Sequence, residues 1–152
     1  SLVALATSLT GDAGHGPELA QEALLRTYRS WETVSRLDRP GAWTRRVLIN
    51  LTIDAHRRAQ REERATRRAA NARTTEQASS PVDPVSEQFW AAVRALPDRQ
   101  RHAVALHYID DLSVAEVARV LEVTEGTVKT SLHMARKSLA LRLGVAEGGE
   151  LR

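Results

Sequence analysis

Apolar residues recur at three- and four-residue steps in two stretches of the carboxy-terminal part of the chain. Val114, Val117, Ala118 and Leu121 fall on one face of a first helix, and Val128, Leu132, Ala135, Leu139 and Leu143 on one face of a second. A short polar turn joins the two, which predicts a helix-turn-helix with the small Ala118 where the helices cross. Ser113 followed by Glu116 spells a capping box for the first helix. Thr124 suits the N-cap of the second, leaving free backbone N–H groups at an end that favours a phosphate. The outward face carries Thr127, Lys129, Thr130, His133 and Lys137. Stripes of this spacing also describe a plain hairpin within an all-α domain, so a DNA-reading role needs support from elsewhere in the chain.

Upstream, the same periodicity predicts helices over about 2–9 and 17–31, separated by a break at 11–17 that contains Gly, Asp and Pro. A loop is predicted around 33–40, then a longer helix from Arg39 or Gly41 to Arg57-Arg58; Pro17 and Pro40 suit first-turn positions. Trp31 and Trp43 read most simply as core. The stretch 74–86 is polar, contains prolines and has no apolar stripe, which predicts a flexible tether. Beyond it come a helix over about 86–95, a helix started by Pro97 and running to Tyr108 or Ile109, and an Asp110-Asp111 turn before the helix-turn-helix. The expected fold is all-α, with two small helical domains at 1–58 and 89–143. A basic segment and linker at 59–88 joins them, and a frayed tail follows at 144–152. The chain starts inside an apolar helical pattern at Ser1–Leu5, so either a half-helix precedes it in the native protein or the amino terminus is short.

Charge changes this picture through its distribution. The formal net charge is only +3. Residues 1–55 balance six bases against six acids, 56–73 carry seven Arg against two Glu, and 74–88 carry three acids and no base. The Arg-rich stretch reads either as a helix continuing into solvent or as added phosphate contacts, each worth close to one unit of log–log salt dependence. Cysteine is absent, which removes disulfides and thiolate metal sites and agrees with a reducing compartment. No apolar run is long enough for membrane insertion. Catalysis finds little support. His15, His56, His102, His107 and His133 lack metal-ligand spacing, no Gly-rich phosphate loop is present, and no catalytic residue, metal or cofactor is expected.

Ala-Leu-Pro-Asp-Arg-Gln-Arg (95–101), His-Tyr-Ile-Asp-Asp-Leu-Ser-Val-Ala-Glu-Val-Ala (107–118) and Glu-Gly-Thr-Val-Lys (125–129) resemble region 4 of bacterial sigma factors of the extracytoplasmic-function type. In the first piece, Glu18–Arg26 resembles region 2.2 of the same family and Ala42–Asp54 resembles regions 2.3 to 2.4. The resemblance implies an alternative-sigma promoter-specificity factor. Such a factor binds core RNA polymerase, recognises the minus-35 and minus-10 promoter elements and directs transcription initiation from the cytoplasm, at the nucleoid. An anti-sigma partner is a family expectation only.

Carried onto this chain, the resemblance gives three residue sets. The polymerase-facing set is Glu18, Leu19, Gln21, Glu22, Leu25 and Arg29; Leu19 shares one side of the helix with Ala23 and Arg26, while the other five present a mixed surface able to dock another helix. The downstream-element set is Arg36, Leu37 and Asp38 from the loop with Trp43, Arg46, Asn50, Asp54 and Arg57 from the long helix. Trp43, Arg46, Asn50 and Arg57 lie three, four and seven residues apart, and their aromatic, amide and guanidinium groups suit unpaired bases. The upstream-element set is Thr124, Glu125, Gly126, Thr127, Lys129, Thr130, Ser131, His133, Met134, Arg136 and Lys137.

Two departures bear on specificity. Glu122 stands in the turn where relatives usually place Gly, so a left-handed backbone there costs on the order of 1 kcal/mol or the turn takes another shape. Ser131 and Met134 stand where relatives commonly place Arg, the side chain suited to bidentate guanine contact. Backbone anchoring is therefore expected to outweigh base readout at the upstream element, with Met134 able to meet a thymine methyl. Two other readings stay open. A stand-alone helix-turn-helix regulator would bind duplex tightly as a dimer without polymerase, and a helical protein engaging mainly a regulatory partner would keep that complex at high salt.

Overall fold

The computed structural model describes residues 1–69 and 84–144, which form eight helices: α1 (Leu2–Thr10), α2 (His15–Arg29), α3 (Trp31–Val34), α4 (Pro40–Ala69), α5 (Pro84–Arg94), α6 (Asp98–Tyr108), α7 (Val114–Leu121) and α8 (Glu125–Leu143). Gly11 ends α1 in the left-handed region at φ 71°, and its N–H donates to the Thr7 carbonyl at 2.8 Å. Gly16 is buried where α2 crosses α1. A Cβ built there would sit 2.7 Å from the Thr7 backbone, so only glycine lets the two helices approach this closely. α2 buries Leu19, Ala20, Ala23 and Thr27 and leaves its opposite face to solvent.

α1, α2 and α4 pack on one another, while α8 packs on α5, α6 and α7. The two groups also touch, through α1 on α6 and α4 on α7. Fully buried Leu5, Leu48, Leu106, Val117 and Leu132 belong to one apolar cluster that runs through both.

Three expectations change. A separate short helix, α3, reaches into the region expected as loop, and Trp31 at its start is 51% exposed instead of core, because Val34 takes the inward position one turn later. The long helix does not stop at Arg58 but continues to Ala69. Nothing in 42–69 breaks it, since the segment holds neither Gly nor Pro, and Glu63 pairs with Arg67 one turn on. Pro84 lies in the first turn of α5, which starts two residues before the sequence pattern suggests. The predicted tether over 74–83 and the tail beyond Gly144 lie outside the described residues.

Candidate nucleic-acid interface

The helix-turn-helix is built as its caps dictate. The Ser113 hydroxyl accepts from the Glu116 N–H at 3.3 Å, and the Ser113 N–H donates to the Glu116 carboxylate at 2.9 Å. The paired backbone and side-chain hydrogen bonds from Ser113 hold the Glu116 carboxyl below its ordinary range, against a small opposing effect of burial; Arg39 adds to the lowering. Thr124 caps α8 by accepting from the Thr127 N–H at 3.2 Å. Between the helices Glu122 does adopt the left-handed conformation, φ 51° and ψ 49°. Its carboxylate forms an ion pair with Arg46 of α4.

α8 sorts its candidates by face. Val128, Leu132, Ala135 and Leu139 are buried, while Thr124, Glu125, Gly126, Lys129, Thr130, His133, Met134, Arg136 and Lys137 are exposed. Thr127 and Ser131 are half-buried and line a groove of about 360 Å³ together with Arg46, Asn50, Arg99 and His102. Ser131 therefore does not share the outward face with Thr130 and Lys137, but turns toward α4 and α6. Met134 keeps 45% exposure and stands over Asp98, Arg99 and Gln100.

Along α4, Trp43, Arg46, Asn50 and Arg57 share one side, with Asp54 exposed on its flank. Trp43 is half-buried beside Val47 and Asn50 in a pocket of about 350 Å³ whose remaining walls are Arg26, Arg29 and Ser30. Arg36, Leu37 and Asp38 of the downstream-element set do not line this pocket. They occupy an exposed turn, with Arg36 paired to Glu32 at 3.3 Å. Arg26 and Ser30 were not anticipated; the signal available was their placement at the carboxy-terminal end of α2, one connection away from the start of α4.

On α2, Glu18, Gln21, Leu25 and Arg29 are exposed, and Glu22 pairs with Arg26 at 2.7 Å. Leu19 does not belong to this face. At 9% exposure it packs in the core, since it lies on the side of Ala23 and opposite Leu25. Sequence reasoning also missed Leu24, Tyr28 and Trp31, which are 53%, 77% and 51% exposed and give the face an apolar border. Large exposed apolar side chains in a row are uncommon on a surface that meets only water.

His102 is nearly buried beneath the groove. Its pKa is lowered to about 4 by burial and by the neighbouring Arg101 guanidinium, with Asp98 opposing, so it is neutral at physiological pH. Among the described residues no group of three or more His, Cys, Asp or Glu could hold a metal ion, and no helix is long and apolar enough to cross a membrane.

Residues 1–62 match the family described as sigma-70 region 2, and residues 86–139 match sigma-70, region 4. The chain is 32% identical over 141 residues to the RNA polymerase sigma-E factor of Streptomyces coelicolor, covering 89% of this chain and 75% of that protein. It is 31% identical over 148 residues to the ECF RNA polymerase sigma factor SigL of Mycobacterium tuberculosis, covering 91% and 80%, and 29% identical over 147 residues to SigW of Bacillus subtilis, covering 89% and 79%. Among solved structures, the sigma factor RpoE in a complex with the anti-sigma factor NepR from Bartonella quintana shares the fold, with TM-score 0.74, 22% identity and coverage of 95% of this chain and 91% of that one.

Proposed function

The chain belongs to the sigma-70 family of bacterial RNA polymerase sigma factors, in its extracytoplasmic-function branch, and from that premise we propose how its own residues divide the work. It is an alternative sigma factor, a non-catalytic initiation subunit. In our reading the exposed face of α2, Glu18, Gln21, Glu22, Leu25 and Arg29, docks on a helical surface of core RNA polymerase. The α4 side with Trp43, Arg46, Asn50, Asp54 and Arg57 engages the opened downstream element, and the Arg36–Asp38 turn lies at its entrance. The outward face of α8 enters the upstream element, with Thr130, His133 and Lys137 central to it. Thr124, Glu125 and Gly126 present the helix N-terminus to a phosphate. Domain limits of 1–58 and 89–143, joined by 59–88, describe the same division. The protein acts in the cytoplasm at the nucleoid and is open to control by an anti-sigma factor.

The observation that carries this reading is the match to both regions, in order, along a single chain. A stand-alone regulator would share only the second. Co-elution of the chain with purified core polymerase, followed by promoter-directed transcription from genomic fragments, tests it. Specific initiation is the expected result; duplex binding without polymerase association would overturn it.

A further inference from the structure

The last turns of α4 leave the body of the protein, and every residue from His56 to Arg68 is exposed. Arg57, Arg61, Arg64 and Arg68 follow one another at steps of four, three and four, which puts them within a stripe about 60° wide at 3.6 residues per turn. The same stripe continues the side that carries Trp43, Arg46 and Asn50. Glu62 and Glu63 lie off it. Glu63 pairs with the off-stripe Arg67, and among the described residues no carboxylate pairs with any of the four stripe arginines. Other exposed arginines of the chain do have a carboxylate one turn away, as in Glu22–Arg26 and Glu32–Arg36.

We propose that this stripe is a sequence-neutral contact for the phosphates of duplex DNA adjoining the element read by α4, a proposal that rests on the DNA-reading role of that helix. The stripe extends roughly 16 Å at 1.5 Å per residue, about the length of five base-pair steps along a duplex at 3.4 Å each. The segment 57–69 has no aromatic side chain, so it offers no stacking platform for single strands. Its only apolar residues are alanines, so it lacks the face an amphipathic helix buries in a lipid surface. The favourable placement of cations near a helix C-terminus accounts for Arg67 and Arg68 in the last turn, but not for Arg57, Arg61 and Arg64.

The test is a salt titration of the full chain on a labelled 30-base-pair duplex, comparing wild type, the stripe triple Arg61→Gln/Arg64→Gln/Arg68→Gln and the off-stripe double Arg58→Gln/Arg67→Gln. Helicity is checked by circular dichroism. The slope of log affinity against log salt is expected to fall by about 2.7 in the triple, near 0.9 for each lost phosphate contact, and by less than one in the double. Equal loss per arginine on and off the stripe, an unchanged slope, or no duplex binding by wild type at the lowest salt overturns the proposal. So does loss of binding to phosphatidylglycerol vesicles with duplex binding intact. Co-elution with core polymerase is measured on the same samples. Retained co-elution with an unchanged slope removes the stripe and leaves the sigma role standing, whereas failed co-elution of wild type removes that role whatever the slope.

Discussion

Single residues in this chain carry costs that their contacts explain. Gly16 and Gly126 are both helical glycines, yet alanine should act on them with opposite signs. At Gly16 the new Cβ would meet the Thr7 backbone at 2.7 Å, and overpacking of that kind costs about 1–3 kcal/mol. At Gly126 the nearest atom is 3.8 Å away, so Gly126→Ala should gain about 0.5–1 kcal/mol from helix propensity. Urea midpoints of the two variants check both signs. Glu122 is a third case. Glycine there relieves the left-handed backbone, worth about 1 kcal/mol, and loses an exposed pair with Arg46 worth about 0–1 kcal/mol. Glu122→Gly is thus expected to be neutral to slightly stabilising, and the β-branched Glu122→Val destabilising. His102 sets a pH response. Its folded pKa of about 4 lies below the ordinary 6.5, so the unfolded chain takes up a proton that the folded one refuses. Stability is full above pH 6.5 and is lost as pH falls toward 4, at up to about 1.4 kcal/mol per unit. The difference between wild type and His102→Gln, measured by urea unfolding across that window, isolates this loss from the carboxylates that protonate at the lower end.

At the scale of elements, what the sequence disclosed depended on whether the deciding interaction was local. The helix-turn-helix was legible because its information is local: a stripe, a Ser-x-x-Glu box and a Thr cap, all of which the structure realises through bonds within three residues. Ser113→Ala, which empties the N-cap of α7, should therefore cost about 1 kcal/mol in thermal or denaturant unfolding. The end of α4 was not legible, because an apolar stripe ceases near Ile53 while helix propensity and the Glu63–Arg67 pair carry the backbone on to Ala69. The placing of Leu19 in the polymerase-facing set and of Trp31 in the core went astray for a related reason. Both depend on which side of α2 meets α1 and α4, and the size of a side chain does not report that. The inward turn of Ser131 likewise comes from α4 lying across the groove, a contact between residues about eighty positions apart.

The arrangement of the two halves bears directly on how the molecule reads DNA. Arg39, just before α4, pairs with Glu116 at 3.1 Å, Arg46 of α4 pairs with Glu122, and Arg45 bonds Asp110, whose side chain is only 4% exposed. Burial pushes the Asp110 carboxyl up, while the side-chain hydrogen bond and the charge of Arg45 pull it down. These pairs hold the start of α4 against the helix-turn-helix, so that Arg46 and Asn50 face the same groove as Thr127 and Ser131. A groove of about 360 Å³ admits no duplex, and the Arg46 guanidinium on its wall is engaged by Glu122. On the proposed assignment of Arg46 and Asn50 to the downstream element, engagement of both promoter elements requires the halves to part. The absence of cysteine makes this measurable, since Ser35→Cys and Arg142→Cys give two unique labelling sites on exposed positions. A single transfer distance is expected in the free chain, with a longer one when core polymerase and promoter DNA are added together. A distance unchanged in the initiating complex would mean that the groove remains closed and that Arg46 and Asn50 do not read the downstream element.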